Sequence, residues 1–269
     1  MMRKMGKRYL GEALVRLLML LSVSLVLLVV ASILGIILLR GLKSLSPEMI
    51  PWPALLGSLY IVIPASVIGA GISVPVMFYI TMYKKRSDTF PYLARLAYDV
   101  LYGTPGIVYG AFAFTLMVYV GMRASVMGGI LVTVLLIIPI MIRSGDEIAR
   151  NVPDEMIEAA YSLGATPWET LKVILRQILP GMTTAFLLAI GRAIGEAAAV
   201  MFTAGFSDTM AVRLSDPAAT LPMAVFNWIT MPDPFPDKAY AAAFVLTVLV
   251  LLLSLCGRWV SRRFTQNNL

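Results

Sequence analysis

The sequence predicts an all-α membrane protein with six transmembrane helices, and three observations carry that class. Hydrophobic residues fill 59% of the 269 positions and charged residues only 14%, a far more apolar balance than in soluble globular domains. Apolar runs long enough to cross a hydrocarbon core of about 30 Å, which takes roughly 20 helical residues, occur six times, and all but the fifth are charge-free. None shows the alternation over about ten residues that a barrel strand requires, so helices are the expected spanning element.

The first run, Leu17 to Leu39, follows Arg3, Lys4, Lys7, Arg8 and Arg16. It exceeds the apolar stretch of about 7 to 15 residues in a signal peptide, which predicts a retained anchor. The second lies within Met49 to Tyr83 and holds Pro64 and Pro75 with Gly57, Gly69 and Gly71, a set that suits either a kink at a gate or close helix packing. The third lies within Val100 to Met122, with Gly103, Thr104, Pro105 and Gly106 marking a break at its start. That break serves packing or exposes backbone donors. The fourth lies within Ala124 to Ile142, the fifth begins near Ile178, and the sixth is Ala239 to Gly257. No compositional break, repeat or low-complexity tract divides the chain, so residues 1–269 read as a single transmembrane domain.

Six spans place both termini on one side. With the N-terminus cytoplasmic, Arg40, Lys43, Arg123, Arg213 and Lys238 fall outside, Arg192 falls within the membrane, and the rest of the 22 Lys and Arg fall inside. The positive-inside rule selects this orientation, and it accounts for the net charge of +7 without nucleic acid. The chain has no His and one cysteine, Cys256. His-based acid–base chemistry, His/Cys metal sites and an intrachain disulfide are thereby excluded. Glu and Asp are not paired with a nucleophile, which argues against an enzyme. No Gly-x-x-x-x-Gly-Lys-Ser/Thr loop is present either, so the chain is not itself an ATPase and no cofactor is expected on it.

The fifth run carries an anomaly, IGRAIGEAAAVMFTAG, which places Arg192 and Glu196 within lipid-compatible sequence. An ionised side chain at the bilayer centre costs roughly 2.5 to 3.5 kcal/mol on insertion scales. Arg192 lies about 18 Å along a helix counted from Pro180, at 1.5 Å per residue, which is near the midplane. A spacing of four predicts one helix face and a mutual ion pair. Such a pair serves either to glue the helix to a neighbour or to present Arg192 to an oxyanion, with Glu196 as its competitor.

The most polar segment, residues 143–181, runs RSGDEIARNVPDEMIEAAYSLGATPWETLKVILRQILPG. Pro153 suits a first helical position, with Asp154 and Glu155 in the favourable first turn. Gly164 allows a left-handed stop. Thr166 and Glu169 then form a Thr-x-x-Glu capping box around Pro167. Two short helices meeting at a tight corner are expected, either docking into a groove on another protein or lying on the headgroups.

Glu158, Ala159 and Ala160, then Gly164 and Ile174, resemble the EAA loop of ABC-importer permeases. The Leu-Pro that ends the family's loop is Arg176-Gln177 here, and Leu179-Pro180 follows three residues later. Further likeness lies in GRAIGEAAAVMFTAG, DPAATLPMAVFNW, AYAAAFVLTVLVLLL and YLARLAYDVLYGTPGIVYGAF. These are similar to permease subunits of phosphate importers from about Gly57 onward. Sulfate and molybdate permeases share the Arg-x-x-Gly-Glu element, and the Thr220 to Trp228 outer loop favours phosphate.

The resemblance implies a type I, MetI-like permease fold. Glu158, Ala159, Ala160, Gly164, Ala165 and Thr166 would then form the coupling surface for the ATPase, and Arg192 and Glu196 the substrate path. Implied partners are a second, PstC-like permease subunit, a PstB-like ATPase pair that binds ATP and Mg, and a PstS-like phosphate-binding protein outside. MPDPFP, Met231 to Pro236, with Phe226, Asn227 and Trp228, is the expected platform for that binding protein or an ordinary loop. The competing functions are a permease for sulfate, molybdate or phosphonate, and an ATPase-independent channel or carrier using the charged pair as an ion relay.

Overall fold

The computed structural model describes residues 2–80, 89–231 and 235–266, with side chains from residue 11 through 261. Lys84, Lys85 and Arg86, and Pro232 to Pro234 of the MPDPFP segment, lie outside the described residues. So do the side chains of Arg3, Lys4, Lys7, Arg8, Arg262 and Arg263. Among the described residues the fold is all helix: α1 Met2–Lys43, α2 Trp52–Phe78, α3 Thr89–Gly103, α4 Gly106–Tyr119, α5 Val126–Arg150, α6 Asp154–Ser162, α7 Pro167–Ile194, α8 Ala198–Ala204, α9 Leu221–Thr230 and α10 Pro236–Gln266.

Five helices, α1, α2, α5, α7 and α10, are long and apolar enough to cross a membrane, and there are six spans if the bent pair α3–α4 is counted as one. The expected third span, Val100 to Met122, is therefore not one rod. Its first residues belong to α3, and the chain turns by 103° before α4.

Helix α5 is the centre of the bundle. Ser125 caps it by accepting from Gly128 N–H at 3.3 Å, and most of its residues are buried. Ile137, Met141, Ile140 and Val134 of α5 pack with Val62, Ala65 and Met77 of α2 and with Ile174, Ile178 and Met182 of α7. Close packing accounts for two of the α2 glycines, because a Cβ at Gly57 or Gly69 would collide with the Ala219 carbonyl or with Ile137. Gly71 faces open space. By contrast α1 is exposed from Gly11 through Leu34 and is tied to the bundle at its end, where Arg40 meets Tyr240 and Ser44 meets Asp237.

Two further expectations are corrected. The second helix of the 143–181 segment is not short. It starts at Pro167 and runs unbroken to Ile194, because Pro180 removes one N–H donor without stopping the apolar packing on either side. The Thr220 to Trp228 segment is likewise mostly helix, α9, pinned by Leu221 N–H donating to Ser58 Oγ at 2.8 Å.

Candidate substrate path and coupling corner

Two helix interruptions meet in this fold. Between α3 and α4 the backbone at Pro105 is extended (φ −60°, ψ 142°), as expected where proline lacks an N–H and restricts the residue before it. Between α7 and α8 the chain leaves the helix at Gly195 and resumes at Ala198. Gly106, in the first turn of α4, faces Glu196 so closely that any Cβ there would strike the carboxylate. At Gly110, one turn later, a Cβ would come within 2.8 Å of the Ala199 backbone. Glycine is thus what lets the two interruptions touch. The carboxylate of Glu196 accepts from Ala199 N–H at 3.2 Å and lies beside the first turn of α4, where unpaired N–H groups favour negative charge.

The expected ion pair within one helix face is therefore corrected. Helix α7 ends before Glu196, so the i, i+4 relation to Arg192 is lost and the carboxylate turns toward α4 and α8. The ion pairs among the described residues are Arg95–Asp146, Arg143–Asp99 and Arg150–Asp146, and none includes Arg192. Its guanidinium is exposed and lies 5.5 Å from the ring centroid of Tyr102, a cation–π distance. Tyr102 is in the last turn of α3. The break beside it is tied by Tyr109 of α4, whose hydroxyl donates to the Leu101 carbonyl at 2.8 Å.

A second arginine reaches the same ring. Arg143 of α5 stands 4.4 Å from the Tyr102 centroid and 3.5 Å from the Asp99 carboxylate. One turn further along α5 is a buried carboxylate, Asp146, 2% exposed. It accepts from Tyr98 at 2.6 Å, from Arg150 at 2.7 Å and from Arg95 at 3.1 Å. Three donors satisfy a charge that would be costly to bury alone. Helix α3 is thus fastened to α5 at Asp146 and reaches the two arginines through Asp99 and Tyr102.

The other predicted set lies at the corner between α6 and α7. The Gly164 backbone is left-handed (φ +79°), Ala165 N–H donates to Ala160 at 3.1 Å and Gly164 N–H to Tyr161 at 2.9 Å. These two bonds make a Schellman stop. The capping box forms as expected: Glu169 Oε2 accepts from Thr166 N–H at 2.8 Å and Thr166 Oγ1 from Glu169 N–H at 3.4 Å. No residue of α6 is buried. Glu158, Ala159, Gly164 and Thr166 are exposed, and Ala160 and Ala165 partly so. Leu163 is 89% exposed, with Tyr161 and Trp168 beside it. The structure does not bring these residues near Arg192 and Glu196. The two sets sit toward opposite ends of α7, about 40 Å apart at 1.5 Å per residue.

Sequence reasoning missed Tyr102, Arg143, Asp99 and the Asp146 cluster. The Asp146–Arg150 spacing of four was a visible signal. The meeting of Tyr102 with Arg143 and Arg192 had none, because three separate helices supply the groups.

A profile of binding-protein-dependent transport system inner membrane components matches residues 71–267. The chain belongs to that family, the multi-pass inner-membrane permeases of ABC importers, and is a transport component and not an enzyme. Within the family it is similar to the phosphate transport system permease protein PstA of Xylella fastidiosa, 36% identical over 208 residues covering 76% of this chain and 72% of that one. The PstA proteins of Yersinia pestis (32% identical, 76% and 70% covered) and Mycobacterium leprae (32%, 81% and 73%) are comparably similar. In fold it matches an inward-facing structure of the MetNI methionine ABC transporter, with a TM-score of 0.69 and 18% identity over 82% of this chain and 99% of that one. The MetI-like permease fold is thereby established.

Proposed function

We propose that this chain is the permease subunit through which an ATP-driven importer passes inorganic phosphate into the cytoplasm. The observation that carries the reading is Arg192: an exposed cation with no ion pair among the described residues, at the meeting of two interrupted helices. Interrupted helices and intramembrane charges mark transport paths, and a guanidinium matches oxyanion geometry. The PstA relatives support phosphate as the anion. Glu196, turned toward the first turn of α4, lines the same path and repels the anion, which weakens binding enough for release.

The N- and C-termini are cytoplasmic in this reading, as the distribution of Lys and Arg favours. The α6–α7 corner then faces the cytoplasm, where Glu158, Ala159, Ala160, Gly164, Ala165 and Thr166 receive an ATPase subunit. ATP and Mg belong to that partner. The exposed apolar group Leu163, Tyr161 and Trp168 suits a protein groove better than solvent. Because α7 is unbroken from Pro167 to Ile194, displacement at the corner moves the end that bears Arg192. A second permease subunit covers the exposed side of the path, and an extracytoplasmic binding protein delivers phosphate.

The test is uptake of radiolabelled phosphate by the complete complex in proteoliposomes, with sulfate and molybdate as competitors. Uptake that needs ATP, is blocked by excess phosphate and resists both competitors is expected. Uptake without the ATPase subunit overturns the importer reading, and equal competition by sulfate overturns the choice of phosphate.

A further inference from the structure

Resting on the phosphate reading, we propose that Arg143 is a second anion-binding residue, so that the path grips its substrate between two guanidinium groups from different helices, Arg143 of α5 and Arg192 of α7, set around Tyr102. Both guanidinium carbons lie within cation–π distance of that one ring, at 4.4 Å and 5.5 Å from its centroid. Their separation cannot exceed the sum of those distances. An oxyanion held from both sides by charge-assisted hydrogen bonds of about 2.8 Å spans a gap of that order.

The donors at this place are under-used. A guanidinium carries five N–H donors, yet among the described residues neither Arg143 nor Arg192 makes a hydrogen bond. Arg143 has the Asp99 carboxylate at 3.5 Å, with side chains 43% and 52% exposed, a loose pair of the kind that contributes little. Two like charges meeting at one ring repel, the more so where the surroundings are apolar. The ring face offsets part of that repulsion, and a doubly or singly charged anion between them removes it. Asp99 stands to Arg143 as Glu196 stands to the path: a carboxylate that neutralises the site between passages and gives way to substrate. Helix α3 makes the arrangement possible, because Asp146 binds Arg95 and Tyr98 and so fixes the helix whose last turn presents Asp99 and Tyr102.

The experiment is phosphate uptake by the complete complex carrying Arg143→Gln, Arg143→Lys, Asp99→Asn or Arg192→Gln, with binding-protein-stimulated ATP hydrolysis and subunit co-purification measured alongside. Arg143→Gln is expected to lower uptake by about tenfold or more while hydrolysis and co-purification persist. Arg143→Lys restores part of the uptake with a raised KM and poorer discrimination of phosphate from sulfate, since an ammonium lacks the planar fork. Asp99→Asn lowers KM, since the carboxylate that competes with the anion for Arg143 is lost. If Arg143 acts only as a strut to α3, Asp99→Asn reproduces the loss seen in Arg143→Gln and Arg143→Lys shifts no selectivity, and the proposal falls. Wild-type uptake in Arg143→Gln with loss in Arg192→Gln rejects the second residue alone. Wild-type uptake in Arg192→Gln rejects the phosphate-path reading on which it stands. Should Arg143→Gln fail to co-purify, the KM and selectivity of Arg143→Lys and Asp99→Asn decide.

Discussion

The corner between α6 and α7 and the meeting point of α3, α4, α5, α7 and α8 are built on opposite principles. At the corner the contacts that set the turn are local: Gly164 stops one helix, Thr166 and Glu169 start the next, and no residue of α6 is fully buried, although Met156 and Ile157 pack on the core. At the meeting point the charged and aromatic groups converge from far apart in the chain. Arg192, Tyr102, Arg143 and Glu196 come from separate elements, and each helix that supplies them is interrupted, fastened or bent to do so. A surface that must be presented to another protein needs only a stable outline. A path through a bundle needs groups converging from several directions, which one helix cannot supply.

That comparison is most directly broken by Arg192→Gln. Phosphate uptake by the complete complex is expected to fall by about a hundredfold or more, as for loss of a group that contacts the transported charge, with ATPase co-purification unchanged. Loss of assembly instead makes Arg192 a packing residue and erases the distinction. Next in size is Asp146→Asn. Removing the charge that three donors share leaves Arg95 without its partner in a mostly buried place, and thermal unfolding in detergent is expected to show a loss of about 2–3 kcal/mol.

Gly106→Val tests whether the two interruptions must touch. The added side chain displaces the Glu196 carboxylate from α4, and an uptake defect with intact assembly is expected. A variant that transports normally shows that the close approach is incidental. At the corner, Thr166→Ala removes the cap and is expected to cost about 1 kcal/mol, read as faster amide exchange over the first turn of α7 and weaker ATPase retention, with no change in anion selectivity.

The smallest effect is expected between α8 and α9. The Asp216 carboxylate accepts from Arg213 N–H at 2.8 Å and Val212 N–H at 3.1 Å, which holds its pKa below the ordinary value of 3.8. A depressed carboxyl pKa favours the folded loop above that value, and the gain is lost as pH falls through the folded pKa. The protection of amides over residues 205–220, corrected for the intrinsic pH dependence of exchange, is expected to be unchanged from neutral pH to mild acid and to fall in stronger acid.

Much of this contrast was legible in advance. The corner could be read residue by residue, since capping boxes and left-handed glycines act within four or five positions of the chain, and Thr166, Glu169 and Gly164 do as expected. The break at Gly103 to Gly106 was visible in the same way. The interruption at Gly195 was not, because Arg192 and Glu196 at a spacing of four suggest a continuous helix until the neighbouring α4 is known to stand beside them. Arg143 read as one more cation at a helix end, and Tyr102 had no distinguishing context.

By itself the sequence determined the all-helical membrane class and the form of the corner, which depend on apolar run length and on short-range backbone chemistry, and it pointed to the family through its resemblance to known permeases. The tertiary structure decided where the charges point. Glu196 turns away from Arg192 because Gly106 leaves room for it against α4, and two arginines meet at Tyr102 because Asp146 fastens α3 to α5. Such choices depend on contacts between residues far apart in the chain, which helical spacing cannot encode.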